Sequence, residues 1–196
     1  RAPSLRRIVV ATSDEISDDP LARAMDDAGV PVFRGSLNDV LGRVIGAIDA
    51  FGPAEVAVRL TADCPLADPE VIEATLALQA ATGADYAANA GQRRTFPKGL
   101  DVEVFRVAAL RTADAETRDP YDREHVTPFL SRRPERFALA FHHQAVDEGE
   151  VRWTVDRPDD LEFVRAVYET LYQADPAFSS EDVRAFVRGR PDLHRL

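Results

Sequence analysis

The chain has 196 residues, 45% of them hydrophobic and 30% charged, a balance that suits one domain with a substantial core. Its net charge of −10 argues against nucleic-acid binding, which leaves a basic footprint, but not against a phosphorylated small molecule met by local arginines or a metal. The single cysteine, Cys64, excludes an internal disulfide and a paired-thiol zinc site. No apolar run approaches the ~18 residues of a membrane span and no signal peptide is visible, so no membrane contact and a cytoplasmic setting are expected.

In chain order, Arg7–Thr12 is a β-branched run that predicts a buried strand. Asp18-Asp19-Pro20 opens a helix that runs through Ala28 and stops at Gly29. Val30–Phe33 predicts a second strand. Ser36, with Asp39 three residues on, predicts a capping box. Behind it Leu37, Val40, Leu41, Val44, Ile45, Ile48 and Phe51 repeat at helical spacing. Glu55–Leu60 is a third strand, and Asp68-Pro69 caps a helix that Gly83 ends near Thr82.

Asp85–Ala88 predicts a short strand and 90–99 a loop. Leu100–Phe105 alternates, putting Asp101 and Glu103 on one strand face and the apolar residues on the other. A helix near 106–117 follows, then one from Tyr121 to Arg132 that Pro128 breaks or restarts. Phe137–Phe141 and Val151–Val155 predict strands; 159–173 and 180–188 predict the last helices. Strand and helix alternate throughout, with no repeat and no linker, as in a three-layer α/β domain filling 1–196.

Two of these strands end alike, in Asp63-Cys64-Pro65 and Asp156-Arg157-Pro158. Parallel strands deliver their carboxyl ends to one sheet edge, where ligands bind, so these acids can meet in space. Two carboxylates with no cation between them repel, and magnesium held by one or two carboxylates plus substrate phosphates resolves that conflict. The alternative is local: Asp63 as a turn residue and Asp156 as a helix-capping acid. No glycine-rich phosphate loop of the GxGxxG or GxxxxGK type is present.

Several segments taken together are specific: RIVVATSDE (7–15), VFRGSLNDVLGR (32–43), RLTADCPLADPEVI (59–72), FPKGLDVEVF (96–105), DREHVTPFL (122–130) and RWTVDRPDDLEFV (152–164). In this order they resemble the spore coat polysaccharide biosynthesis protein F family, a branch of the cytidylyltransferases similar to the enzymes that make CMP-KDO and CMP-sialic acid. The resemblance implies a nucleotidyltransferase fold, Rossmann-like and GT-A-like, with a mixed, mostly parallel sheet between helices. It also implies transfer of CMP from CTP to a sugar or sugar-acid hydroxyl, with magnesium required and pyrophosphate released.

By motif match, Asp63 and Asp156 are the implied metal ligands. Gly35, Ser36, Asp39 and Arg43 fall on the base side, with Arg59 and Thr61 near the nucleotide. Lys98, Asp101, Glu103, Arg123 and Glu124 fall on the sugar side. His125 is either a sugar contact or the general base for the attacking hydroxyl. Each has a plainer alternative: a solvated strand face for Asp101 and Glu103, surface ion pairs around Arg123–His125, an exposed loop position for Lys98. Family members begin with a strand and an ARxGSTRLPGK-type loop that grips the triphosphate. The expectation is that this first strand and loop are missing here, leaving a gap in the sheet and weak CTP binding. Two other readings stay open, a non-catalytic nucleotide-sugar-binding module and a different nucleotidyltransferase or GT-A-like glycosyltransferase. A homodimer is expected from relatives.

Overall fold

A computed structural model of the protein describes residues 2–193, Gln92 excepted. Strand β1 (Val10–Ser13) pairs in parallel with β2 (Val32–Gly35), joined by helix α1 (Asp19–Asp27). Helix α2 (Val40–Phe51) leads to β3 (Val56–Arg59), and α3 (Pro69–Thr82) leads to β4 (Tyr86–Ala88). Strand β5 (Glu103–Arg106) is followed by α4 (Val107–Glu116), α5 (Pro120–His125) and α6 (Pro128–Ser131), then by β6 (Leu139–Phe141), α7 (Pro158–Val167) and α8 (Ser180–Arg188).

The second sheet has the order β3-β5-β4-β6, in which β5 alone runs against its neighbours. Within it the period-2 rule divides the core. Ala87 and Val104 face Val71, Ile72, Phe163, Val164 and Val183 of α3, α7 and α8. Tyr86, Ala88 and Phe105 face Leu41, Ile45, Leu110, Phe129 and Leu130 of α2, α4 and α6. Burying side chains of this size stabilises by about 1.5–3 kcal/mol each. This is the expected helix–sheet–helix sandwich. The β1–β2 pair forms a separate sheet, tied to the rest through α2, which packs on β1 and β2 and whose cluster takes in Ala57 of β3. Among the described residues no helix is long and apolar enough to cross a membrane.

Local signals set the helix ends well. The Asp68 side chain accepts from Glu70 N–H at 2.7 Å, and Gly83 stops α3 in the left-handed region at φ 66°. Four expectations need correction. Ser36 does not cap α2: Asp39 does, accepting from Gly42 N–H at 2.9 Å, while Ser36 Oγ takes Asp39 N–H. Leu37 therefore lies outside the helix and is exposed. Leu100–Val102 precede β5, and Phe105 shares the parity of Asp101 and Glu103 yet is buried, because a helix layer covers that face too. Val151–Val155 is not a strand: its ladder shrinks to one parallel bridge between Arg152 and Lys98.

Candidate active site

Strands β3, β4 and β6 finish at one edge of the second sheet, where antiparallel β5 begins with Glu103. Arg59 closes β3, and the chain then turns through Thr61–Ala67, held by Cys64 N–H to Thr61 O and Ala67 N–H to Cys64 O. The 151–156 segment runs beside this turn. Val155 N–H donates to Asp63 O at 2.8 Å, and Thr154 Oγ1 donates to the same carbonyl at 3.2 Å. Asp63 and Asp156, remote in sequence, thus lie on adjoining backbone at the strand-end edge. The Tyr168 hydroxyl fastens the turn from the far side, donating to Pro65 O at 2.7 Å.

Asp156 is held by its neighbours rather than by capping α7. Asp160, 2% exposed, accepts on one oxygen from Asp156 N–H (3.1 Å), Arg157 N–H (3.0 Å) and Arg152 Nη2 (3.1 Å). Arg152 also reaches Asp156 Oδ2 at 2.9 Å, and that carboxylate is half exposed. The capping acid of α7 is therefore Asp160, and Asp156 stands free of that duty. Cys64 is a buried packing residue: burial first, then the Asp63 and Asp101 charges, push its thiol to about 11 against a hydrogen bond from Thr61.

The loop before β5 joins the same edge. Lys98 N–H donates to Val151 O and Trp153 N–H to Lys98 O, at 2.8 and 2.6 Å. Gly99 makes that approach possible: its φ is +108°, and a Cβ there would sit 2.5 Å from the Trp153 carbonyl carbon. Asp101 is gripped by both guanidinium nitrogens of Arg94, and burial-resistant hydrogen bonding to it keeps Arg94 firmly protonated. Trp153 itself is core.

Arg59 and Glu103 face each other across the β3–β5 register, 2.5 Å apart, and Glu103 also accepts from Tyr86 and from Thr127. Burial, then the Glu103 charge, hold the Tyr86 phenol protonated. Arg123 spans helices, donating to Asp39 Oδ2 at 2.5 Å and to Asp114 Oδ1 at 2.8 Å. Burial alone would raise Asp39, but the Arg123 hydrogen bond, the Gly42 N–H and the charges of Arg123 and Arg43 outweigh it and lower its pKa. Gly35 packs against the Phe33 ring and the Arg43 stem. Arg43 Nη1 donates to Ser36 O, whereas its Nε is buried with no hydrogen-bond partner among the described residues. Desolvation lowers the Arg43 pKa, Asp18 opposes that, and the nearby Arg59 charge adds to it.

The segments that carry Thr61, Asp63, Lys98 and Asp156 are thus hydrogen-bonded along one edge, with Asp101 three residues on from Lys98 and the Arg59–Glu103 pair across β3 and β5; the Arg59 charge is felt at Arg43 of the Gly35–Arg43 segment. Glu124 and His125 are exposed on α5, which packs chiefly on α2 and α6, and the His125 ring lies 4.3 Å from that of Tyr121. Arg94, Arg152 and Asp160 are site neighbours that sequence patterns did not single out. Only Asp160 had a signal, an acid at the third position of a proline-started helix.

The donor set limits what metal suits this edge. Among the described residues no group of three His, Cys, Asp or Glu side chains is placed to hold an ion. Two hard carboxylates with no imidazole partner, beside a Cys64 thiol that burial keeps protonated, fit magnesium, which takes one or two carboxylates and completes its shell with water and phosphate. They do not fit a zinc or calcium cage.

A profile of the cytidylyltransferase family matches residues 1–186. The chain is 30% identical over 192 residues to the spore coat polysaccharide biosynthesis protein SpsF of Bacillus subtilis, covering 94% of this chain and 76% of that protein. It is 31% identical over 163 residues to the uncharacterized protein MJ1063 of Methanocaldococcus jannaschii, covering 82% of this chain but 65% of that one, so it spans just under two thirds of that relative. A solved cytidylyltransferase from Leptospira borgpetersenii serovar Hardjo-bovis superimposes with a TM-score of 0.87 at 31% identity, over 95% of this chain and 78% of that one.

Proposed function

The chain belongs to the cytidylyltransferase family of nucleotidyltransferase enzymes, and from that we propose that it transfers CMP from CTP to a hydroxyl of a sugar or sugar acid in polysaccharide biosynthesis. The acceptor oxygen bonds to the α-phosphorus, the bond from that phosphorus to the bridging oxygen breaks, and pyrophosphate leaves while the hydroxyl proton passes to a base or water. The observation that carries this reading is the Val155 N–H to Asp63 O hydrogen bond, which sets two carboxylate-bearing turns side by side where a nucleotide would sit.

Asp63 and Asp156 would hold magnesium, which when bound neutralises charge on the triphosphate and on the departing pyrophosphate. Asp160 and Arg152 fix the backbone and carboxylate of Asp156, so little reorganisation accompanies binding. On the nucleotide side Arg43, with its orphaned Nε donor, lies beside Ser36 and Asp39, and Thr61 would offer its hydroxyl from the turn after β3. Arg59 and Glu103 serve chiefly to lock β3 to β5 beneath the site. Arg123 acts by fixing the start of α2 through Asp39. We keep residues 1–196 as one domain, because the two core clusters share β4 and β5.

The test is pyrophosphate release from each of the four nucleoside triphosphates with magnesium and a panel of candidate sugars. Release with CTP and an acceptor is expected. Release only with a purine triphosphate contradicts the cytidylyl reading, and CTP binding without release from any acceptor favours a non-catalytic nucleotide-binding module.

A further inference from the structure

The two proposed metal acids are held in different ways. Asp156 has a cation on its own carboxylate, Arg152 at 2.9 Å, and its backbone N–H rests on buried Asp160. Asp63 has no such cation: among the described residues its carboxylate meets only the Cys64 thiol, 3.5 Å from Oδ1. The direction of the Asp63 side chain is therefore set by the backbone that carries it.

That backbone is a pair of tandem turns. Cys64 N–H to Thr61 O closes the first, with Asp63 at its third position. Ala67 N–H to Cys64 O closes the second, with Pro65 and Leu66 at its centre. The turns share Cys64, so a change in the second is passed to the first. Leu66 sits in the core cluster that holds Phe163, Val164 and Val167 of α7. The central peptide of the second turn is fixed by the Tyr168 hydroxyl, which donates to Pro65 O at 2.7 Å. Rotation of that peptide is the motion by which a turn of this kind changes type.

Tyr168 follows the last residue of α7 and opens a π turn, Tyr168–Tyr172, that continues the helix. Its ring is packed without help from the hydroxyl, edge-on to Phe178 with centroids 5.5 Å apart and 5.8 Å from the ring of Tyr172. A half-buried phenol, apolar in its body and polar at its tip, suits a tether from the core to an outlying turn.

We propose that Tyr168 is a positioning residue for Asp63. Through the Pro65 carbonyl it holds the tandem turns that aim the carboxylate. One helix then serves both acids: Asp160 near its start supports Asp156, and Tyr168 at its end supports Asp63. The inference rests on the reading of Asp63 and Asp156 as a magnesium pair, and adds a residue that acts on the ion only through Asp63.

The test is Tyr168→Phe, which keeps the ring and removes the hydroxyl. In the metal-free protein, amide hydrogen exchange at Cys64 and Ala67 is expected to quicken about fivefold, the worth of one such hydrogen bond, while Asp156 and Arg157 exchange at the native rate. Manganese affinity in the presence of CTP should fall by a similar factor. Unchanged exchange at Cys64 and Ala67, equal quickening at Asp156 and Arg157, or faster exchange with native manganese affinity would each overturn the proposal. Absence of manganese binding in the native protein with CTP counts against the magnesium reading instead. The exchange measurements need no metal and still decide whether Tyr168 orders the turns.

Discussion

At Asp160 a single buried oxygen meets three donors, two of them the backbone N–H groups of Asp156 and Arg157. Truncating it leaves those two backbone donors without their acceptor, while Arg152 keeps only Asp156 Oδ2, a cost of about 1–3 kcal/mol for groups of this kind. Asp160→Ala should therefore lower the urea midpoint markedly and weaken manganese binding as Asp156 loses its support. An unchanged midpoint would show that water replaces the carboxylate freely. From the sequence Asp156 was the capping acid weighed for this helix, and Asp160 was not singled out. Only tertiary contacts with Arg152 decide which one caps and which one stays free.

Helix α2 contains a glycine whose purpose is packing. A Cβ at Gly46 would lie 2.4 Å from the tip of the Phe33 ring, so the helix can approach β2 only without a side chain there. Alanine gains about 1 kcal/mol in helix propensity over glycine, yet overpacking of this kind costs about 1–3 kcal/mol. Gly46→Ala should thus lower the thermal midpoint, and in a Phe33→Leu background the same change should raise it. A stabilising Gly46→Ala in the native background would contradict the packing.

The turn that follows β1 supplies a pH signature for its own element. Hydrogen bonds from the Thr12 side chain, then the Ser13 side chain and Ser13 N–H, hold Asp18 down to about 2. A carboxyl with a folded pKa below its unfolded value binds fewer protons in the folded state. Its stabilisation is complete above about pH 4 and is lost as pH falls towards 2. Thr12→Val removes the largest of these bonds, so its urea midpoint should fall less steeply between pH 4 and 2 than that of the native protein. Equal slopes would mean that Asp18 is not responsible.

Across the whole molecule, what was readable in the sequence was what short-range physics fixes. The Asp68 cap and the Gly83 stop of α3 follow from backbone donors and a positive φ, and the alternation of strand and helix along the chain already implied two helix layers. Pairing was less readable, because it depends on distant partners. Val151–Val155 has a strand's composition but finds only Lys98 to bridge, and β1–β2 stands as a sheet of its own. Asp63 was legible as an acid just past a strand, whereas Asp156 was read at the end of a strand that is only a single bridge. The Asp63–Val155 hydrogen bond that sets their segments together, and the Arg94 clamp on Asp101, were not, since neither has a local pattern.

The central claim, that Asp63 and Asp156 share one divalent ion with bound CTP, is tested most directly by manganese binding followed by electron paramagnetic resonance, with and without CTP. Asp63→Asn and Asp156→Asn should each abolish the CTP-dependent manganese signal while leaving the thermal midpoint nearly unchanged, and the double variant should be no worse than either single one. A CTP-dependent signal that persists at full strength in either single variant would contradict the account.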